Sequence, residues 1–255
     1  MTAMAHSADE VMTVTASRLL ADGEVCFVGI GLPSAAANLA RQTHAPGLVL
    51  VYESGTIGTR PSVLPLSIGD EELAATADCI VSMPEVFSYW LQAGRVDVGF
   101  LGAAQIDRFG NLNTTVIGAY DHPKVRLPGS GGACEIAVHA RRLFYVMRLS
   151  RRAFVETLDF VTSPGHLTGG DARAHLGLPG AGPELVITDK AVFNFDNPQR
   201  EMQLVSLHPN VTTESVQAEV GWRLRLADTL ATTPPPTEDE LHLVRDVLDP
   251  QAMYR

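Results

Sequence analysis

The chain has 255 residues, of which 45% are hydrophobic and 19% are charged, a composition typical of a globular protein. Its net charge of −10 at pH 7 disfavours a nucleic-acid partner, although a few local arginines would suffice to hold one anionic cofactor. The sequence has no run of about 18 apolar residues, so we expect no membrane span. The first seven residues lack the basic region of a signal peptide.

The cysteines indicate the cellular compartment, and the spacing of the histidines argues against a metal site. Cys26, Cys79 and Cys134 stand far apart and form no C-x-x-C pair, which favours a reduced, cytoplasmic setting. The eight histidines show neither H-x-H nor H-x-x-x-H spacing. We therefore expect no metal cofactor.

The first half of the chain alternates predicted strands with predicted helices. A capping box at Ser7 and Glu10 predicts an N-terminal helix. Further helices are predicted at Ser34–Arg41 and Glu85–Ala93. Short apolar runs ended by turn residues are the predicted strands, namely Val25–Ile30, Leu48–Tyr52, Cys79–Met83, Asp97–Leu101 and Asn113–Ile117. This alternation predicts an α/β fold, with an open, largely parallel sheet that is covered by helices on both faces.

The second half is less regular. Strands are predicted at Leu143–Leu149, Phe154–Val161, Glu184–Thr188 and Met202–Ser206. The segment Ser163–Gly182 holds six glycines and is predicted to be a loop: a lid, an interface loop or a plain surface loop. A capping box at Thr237 and Glu240 predicts a last helix at about 237–249, which docks on a neighbour or on the body of the protein. We expect one domain over residues 1–255.

A glycine turn follows the first predicted strand. In Val28-Gly29-Ile30-Gly31-Leu32-Pro33, the strand runs into two glycines and then opens a helix. Backbone N–H groups at such a helix start bind anions such as pyrophosphate. The spacing lacks the third glycine of a dinucleotide fingerprint, and a tight turn without a ligand explains these residues equally well.

A glutamate follows the second predicted strand. The run Leu48–Tyr52 delivers Glu53 to the carboxyl end of a presumed parallel strand, the edge at which ligands bind in open α/β sheets. Ser54 and Gly55 follow, so a ligand can approach this turn closely. On this pattern alone, a solvated strand-end carboxylate is the more common explanation.

Two further segments carry polar or glycine-rich turns. Gly129-Ser130-Gly131-Gly132-Ala133 can aim successive N–H groups at one point, as an oxyanion hole does, although a flexible loop uses the same residues. Gln105 lies at the end of another predicted strand, with Asn113 shortly after it. These amides are candidates for holding a substrate, and ordinary turn chemistry also selects them.

Taken together and in this order, these motifs resemble those of the β subunits of class I CoA-transferases, from about Glu24 to Val220. The resemblance implies a CoA-transferase fold, with Glu53 as the covalent nucleophile and Gly131, Gly132 and Ala133 as a loop near the oxyanion and CoA. It implies that Gly29 and Gly31 form an anion- or CoA-binding turn. Ser54, Gly55 and Gln105 then become candidates for positioning the substrate.

The resemblance also implies partners. Such β subunits pair with an α subunit in a heterotetramer or larger assembly, and they move CoA between an acyl-CoA and a free carboxylic acid through a glutamyl-CoA thioester. The sequence Tyr52-Glu53-Ser54-Gly55 is closer to the glutaconate and 3-oxoadipate branches than to the Ser-Glu-Asn-Gly of the succinyl type. We therefore expect a small dicarboxylic or oxo acyl group.

Two alternatives share this fold. The residues from Thr237 to Pro250 resemble the tail of steroid-ring hydrolase subunits, which suggests a CoA-thioester or ring-cleaving hydrolase. Those relatives lack a glutamate at the position of Glu53, so its presence favours transfer. A ligand sensor would need an attached DNA-binding module, and no basic helix-turn-helix stretch precedes residue 24.

Overall fold

The computed structural model describes residues 6–254. The expectation of no signal peptide falls mostly on the residues before this range, and the end of the predicted domain at Arg255 also lies outside it. The chain divides into two compact units, one of Met1–Phe100 with Pro234–Arg255 and the other of Leu101–Thr233. The single-domain organisation therefore stays a prediction, and each unit is described by itself.

The helices are short, and two of them continue as π-helical turns. Those in the described chain are α1 (Ala8–Ser17), α2 (Leu32–Gln42), α3 (Glu71–Ala75), α4 (Met83–Glu85, then π-helical Val86–Leu91), α5 (Ala133–His139), α6 (Ala172–His175), α7 (Thr213–Ala218) and α8 (Glu238–His242, then π-helical Leu243–Leu248). The predicted capping boxes are present at the starts of α1 and α8.

Five strands of the first unit lie side by side. They are β1 (Val25–Phe27), β2 (Val49–Val51), β3 (Thr56–Ile57), β4 (Cys79–Ile80) and β5 (Val98–Leu101), in the spatial order β5-β1-β2-β3-β4. Strands β5, β1 and β2 are parallel, whereas β3 and β4 add antiparallel pairs. Helix α2 connects the parallel strands β1 and β2, which is the βαβ connection of an α/β protein.

The second unit holds two hairpins and five further strands. The hairpins pair β6 (Gln105–Ile106) with β7 (Leu112–Asn113), and β8 (Val116–Gly118) with β9 (Pro123–Arg126). The other strands are β10 (Arg142–Val146), β11 (Pro183–Ile187), β12 (Ala191–Asn194), β13 (Gln203–Leu207) and β14 (Arg225–Thr232), in consecutive spatial order. Two of their pairs are parallel and two are antiparallel. The predicted α/β class is confirmed, with a mixed strand pattern in each unit.

Two predicted strands are wrong in detail. Asn113–Ile117 is split because the Asn113 side chain accepts hydrogen bonds from the backbone of Thr115 (2.9 Å) and Val116 (3.3 Å), which turns the chain. Phe154–Val161 forms only a single bridge, between Phe154 and Ile106. Its apolar character reflects packing of the buried Phe154 ring against aromatic neighbours rather than a ladder.

The C-terminal helix packs within the first unit. Val244 and Leu248 are buried in an apolar cluster with Val14, Ala35 and Leu39. Two ion pairs flank this cluster, Arg18 with Glu240 and Arg245 with Glu10, each at 2.6 Å. Of the two docking modes open at the sequence level, the structure shows docking on the body of the protein.

The glycine-rich segment Ser163–Gly182 is held by a buried arginine. The Arg173 guanidinium has no carboxylate partner in the described chain and donates instead to carbonyl oxygens, including Gly165 (2.8 Å) and Gly180 (2.9 Å) inside the segment. It also reaches Ala137 (3.1 Å) in the last turn of α5. A cation at a helix C-terminus is favourable, so this residue ties the loop to α5.

We expect Arg173→Met to lower the free energy of unfolding by about 3 kcal/mol or more, because it leaves several buried carbonyl groups without donors. Chemical denaturation measures this loss. Arg152→Met is the matched control, because Arg152 is exposed. Equal stabilities of the two variants would show that Arg173 does not stabilise the segment in this way.

The buried His166 makes stability depend on pH. Burial lowers the pKa of this imidazole from 6.5 to about 4, against the opposing effect of its 2.9 Å contact with the Pro183 carbonyl oxygen. Between these two values the unfolded chain binds a proton that the folded chain does not, so stability falls as pH drops below about 6.5. The expected loss from pH 7 to pH 5 is about 2 kcal/mol, and His166→Gln should remove it. If the free energy of unfolding of that variant falls with pH as steeply as that of the parent, His166 is not the cause of the pH dependence.

Candidate functional site

Glu53 lies on a tight turn between β2 and β3. The backbone N–H of Gly55 donates to the Tyr52 carbonyl oxygen (3.0 Å), and the N–H of Tyr52 donates to the carbonyl oxygen of Thr56 (3.0 Å). Glu53 is half-buried, and none of the described residues engages its carboxylate in a hydrogen bond or ion pair. A carboxylate without a protein partner is available to a ligand.

Gly55 shapes this turn. Its φ of +108° favours glycine, and a Cβ there would overlap the backbone carbonyl oxygen of Val81. The carbonyl oxygen of Gly55 accepts a bond from the N–H of Val81 (3.0 Å), so the turn is fixed to the segment after β4. Gly55 therefore acts on the geometry of the turn, and its role in holding the substrate stays a prediction.

The hydroxyl groups beside the turn are short of partners. The Oγ of Ser54 and the Oγ1 of Thr56 are buried and make no hydrogen bond with the described residues. A buried hydroxyl without a partner costs free energy, and a water or a ligand can satisfy it. Ser54 remains a candidate for positioning the substrate.

The glycine turn of the first unit lies at the same sheet edge as Glu53. Strands β1 and β2 are parallel and Phe27 pairs with Val51, so Gly29 and Glu53 follow at matching positions beyond the two strands. Gly31, with φ of +87°, is the N-cap of α2 and supplies no side-chain cap. Pro33 has no N–H, so Leu32 and Ser34 supply the N–H groups of the first turn of α2, and the N-cap residue offers them no side-chain acceptor.

The second glycine loop precedes α5 in the other unit. Gly129 is tied to Thr114, since the Gly129 N–H donates to the Thr114 carbonyl oxygen and the Thr114 hydroxyl donates back to that of Gly129, both at 2.8 Å. The N–H of Ala133 donates to the Ser130 carbonyl oxygen (2.9 Å) and is therefore used inside the loop. This leaves Gly131 and Gly132 as the candidate oxyanion donors.

Gln105 is engaged by the protein on both ends of its amide. Its Nε2 donates to Asp159 Oδ2 (2.8 Å), and its Oε1 accepts from Asn113 Nδ2 (2.7 Å). The side chain is 6% exposed. Asp159 was not predicted, because its 54-residue separation from Gln105 leaves no sequence signal. These contacts orient Gln105, and contact with a substrate stays a prediction.

The described part of the chain shows neither a metal-binding cluster nor a membrane-spanning helix. Over residues 6–254, no group of three or more His, Cys, Asp or Glu residues is arranged to hold a metal ion. Within the same range, no helix has both the length and the apolar character needed to cross a membrane.

Comparison with known proteins identifies one family model and several similar proteins. A family model described as coenzyme A transferase matches residues 10–219. The chain is 58% identical to the B subunit of 3-oxoadipate CoA-transferase of Pseudomonas knackmussii, over 94% of this chain and 93% of that protein. It is also 28% identical to the cholesterol ring-cleaving hydrolase IpdB subunit of Mycobacterium tuberculosis, over 96% of this chain and 95% of that one.

The third relative is known both as a sequence and as a structure. The B subunit of glutaconate CoA-transferase of Acidaminococcus fermentans is 36% identical over 94% of this chain and 92% of its own length. The crystal structure of that enzyme superposes with a TM-score of 0.92, covering 98% of this chain and 97% of the other. Sequence and fold therefore agree, and this chain belongs to the coenzyme A transferase family.

Proposed function

We propose that this chain is the B-type subunit of a CoA-transferase in which Glu53 is the covalent nucleophile. The observation that supports this most directly is the Glu53 carboxylate, which is half-buried on a glycine-shaped turn at the carboxyl end of a parallel strand and is engaged by none of the described residues. A glutamate is ionised at pH 7 and needs no activating base, unlike a serine nucleophile.

The chemistry conserves the energy of the thioester. A carboxylate oxygen of Glu53 attacks the thioester carbonyl carbon of the donor, the C–S bond breaks, and CoA leaves as a thiolate with a mixed anhydride left behind. The thiolate then attacks the Glu53 carbonyl carbon, which releases the donor as a free carboxylate and forms a glutamyl-CoA thioester. The acceptor carboxylate reverses both steps, so no net proton is gained or lost.

Two glycine turns are the candidate CoA-binding elements. Charge develops on the carbonyl oxygen in each step, and backbone N–H donors stabilise such an oxyanion. Gly131 and Gly132 are the donors that we propose for this role. Gly29 and Gly31, before α2, offer N–H groups suited to an anionic part of the ligand.

The proposed acyl group is a small dicarboxylic or oxo acid. The relative that is 58% identical is named for 3-oxoadipate, and the one that is 36% identical for glutaconate, a dicarboxylate. We therefore propose 3-oxoadipate as the first acceptor to test, with an acyl-CoA of a short dicarboxylic acid as donor.

We further propose that the active form is a heteromer with an α subunit, as a heterotetramer or larger assembly. Both CoA-transferase relatives are named as B subunits, which supports a partner chain. Co-expression with the neighbouring gene and measurement of the mass of the purified complex test this proposal. Transfer activity from the isolated chain would contradict it.

The competing function is hydrolysis of a CoA thioester or of a ring. Its support is the 28% identity to a ring-cleaving hydrolase subunit, which is less than half of the 58% identity to the 3-oxoadipate enzyme. The acceptor distinguishes the two functions: beyond one equivalent per active site, a transferase consumes acyl-CoA only when a free acid is present, whereas a hydrolase continues to consume it in buffer alone.

Trapping of the intermediate tests the role of Glu53. The heteromer is incubated with the donor acyl-CoA and treated with borohydride, which reduces a glutamyl thioester to an alcohol, and the modified residue is located by peptide mass mapping. We expect the modification at Glu53. Modification at another residue, or none with an acyl-CoA that turns over, would rule out the covalent role.

A further inference from the structure

The residue before Glu53 is anchored to helix α2. The Tyr52 side chain is fully buried, and its hydroxyl lies 2.7 Å from the hydroxyl of Ser34 in the first turn of that helix. Its backbone N–H and carbonyl oxygen both close the turn that carries Glu53. Tyr52 is thus fixed at three polar points, whereas the adjacent carboxylate is left for a ligand.

Ser34 is in turn held by its own helix. Asn38 Nδ2 donates to the Ser34 carbonyl oxygen (2.9 Å) and approaches its hydroxyl (3.4 Å). Arg41 donates to Asn38 Oδ1 (3.3 Å) and to the Pro61 carbonyl oxygen (3.3 Å). This chain of bonds connects the Glu53 turn to the helix whose N-terminus follows the two glycines of the first turn.

Tyr52 holds its proton throughout the working range. Burial, the largest cause, raises the pKa of the Tyr52 phenol from 10.0 to about 12, although the Ser34 hydroxyl lowers it in part. At neutral pH the phenol is therefore a neutral hydrogen-bonding group and supplies no base. Its contribution to the reaction has to come through geometry.

We infer that Tyr52 is a positioning residue, whose buried hydrogen bond to Ser34 fixes the Glu53 turn against the N-terminus of α2 and so holds the carboxylate ready for attack on the acyl group. This inference rests on the proposed function of Glu53. Catalysis is sensitive to such placement, since a shift of about 1 Å in a reacting group can cost about 100-fold in rate.

The test removes the hydrogen bond from each side in turn. Tyr52→Phe and Ser34→Ala each delete one hydroxyl. Single-turnover kinetics of the heteromer measure the acylation of Glu53, followed by borohydride trapping as its conversion to the glutamyl-CoA thioester. We expect each variant to acylate about 10- to 100-fold more slowly, with the acyl-CoA concentration at half-saturation changed by less than about twofold. Because both substitutions delete one bond, the double variant should be no slower than the slower single variant.

Tyr89→Phe is the matched control, because the Tyr89 side chain is 63% exposed, and it should acylate at the parent rate. A merely structural role predicts lower melting temperatures with parental acylation rates in the folded fraction, and this result would overturn the inference. Additive effects in the double variant would also overturn it. If Tyr52→Phe does not fold, Ser34→Ala decides alone.

The parent protein separates this inference from the proposed function. If borohydride treatment of the parent protein gives no reduced Glu53, the proposed function and this inference fail together. If the thioester is trapped at Glu53 in the parent and forms equally fast in Tyr52→Phe, only the positioning role of Tyr52 fails.

Discussion

Replacement of Glu53 with glutamine is expected to lower the rate of CoA transfer by at least about 10⁴-fold, because loss of a covalent nucleophile removes the reaction path. Glutamine keeps the shape of the side chain but lacks the attacking carboxylate. The half-buried carboxylate has no hydrogen bond or ion pair with the described residues, so its replacement breaks neither kind of interaction within the first unit. Steady-state transfer assays of the heteromer measure the loss, and co-elution with the partner chain confirms assembly.

Two companion variants sharpen this test. Glu53→Ala excludes slow regeneration of the glutamate by deamidation and should be as inactive as Glu53→Gln. Glu71→Gln removes an exposed carboxylate at the start of α3 in the same unit and should keep the parent rate. A glutamine variant that transfers CoA within tenfold of the parent, with the alanine variant equally active, would show that Glu53 is not the nucleophile.

Gly55→Ala is expected to destabilise the first unit by at least about 2 kcal/mol and to abolish trapping at position 53. The added Cβ would overlap the Val81 carbonyl oxygen, and φ of +108° is strained for alanine. Relief of this overlap requires the turn to separate from the segment after β4, which breaks the bond between the Val81 N–H and the Gly55 carbonyl oxygen. Chemical denaturation and borohydride trapping give the two readouts.

Gly69→Ala is the matched control for stability. Gly69 is exposed, has no positive φ, and a Cβ there would come no closer than 3.8 Å to the Ser67 hydroxyl. We expect a change within about 0.5 kcal/mol for this variant. If Gly55→Ala matches it in stability and in trapping, the turn tolerates a side chain and its backbone geometry does not constrain Glu53.

Local patterns in the sequence predicted the elements that carry the candidate site. The buried apolar run before Glu53, the glycines before α2 and the capping boxes at Ser7 and Thr237 all produce structure within a few residues. Strand β14 was missed because most of its residues are exposed, so it lacks the alternating apolar pattern of a half-buried strand. Strand β12 was missed although three of its four residues are buried, because so short an apolar run gives a weak signal.

The sequence by itself determined the family, the reaction type and the candidate nucleophile, because these depend on residue types in a fixed local order. Only the tertiary structure showed that Tyr52 bonds to Ser34, that Asp159 holds Gln105, and that Arg173 ties the glycine-rich segment to α5. These pairs are separated by 18 to 54 residues along the chain, and each depends on the packing of complete elements. A hydrogen bond of this kind leaves no periodic trace in the sequence, so the support of the Glu53 turn became visible only in the folded chain.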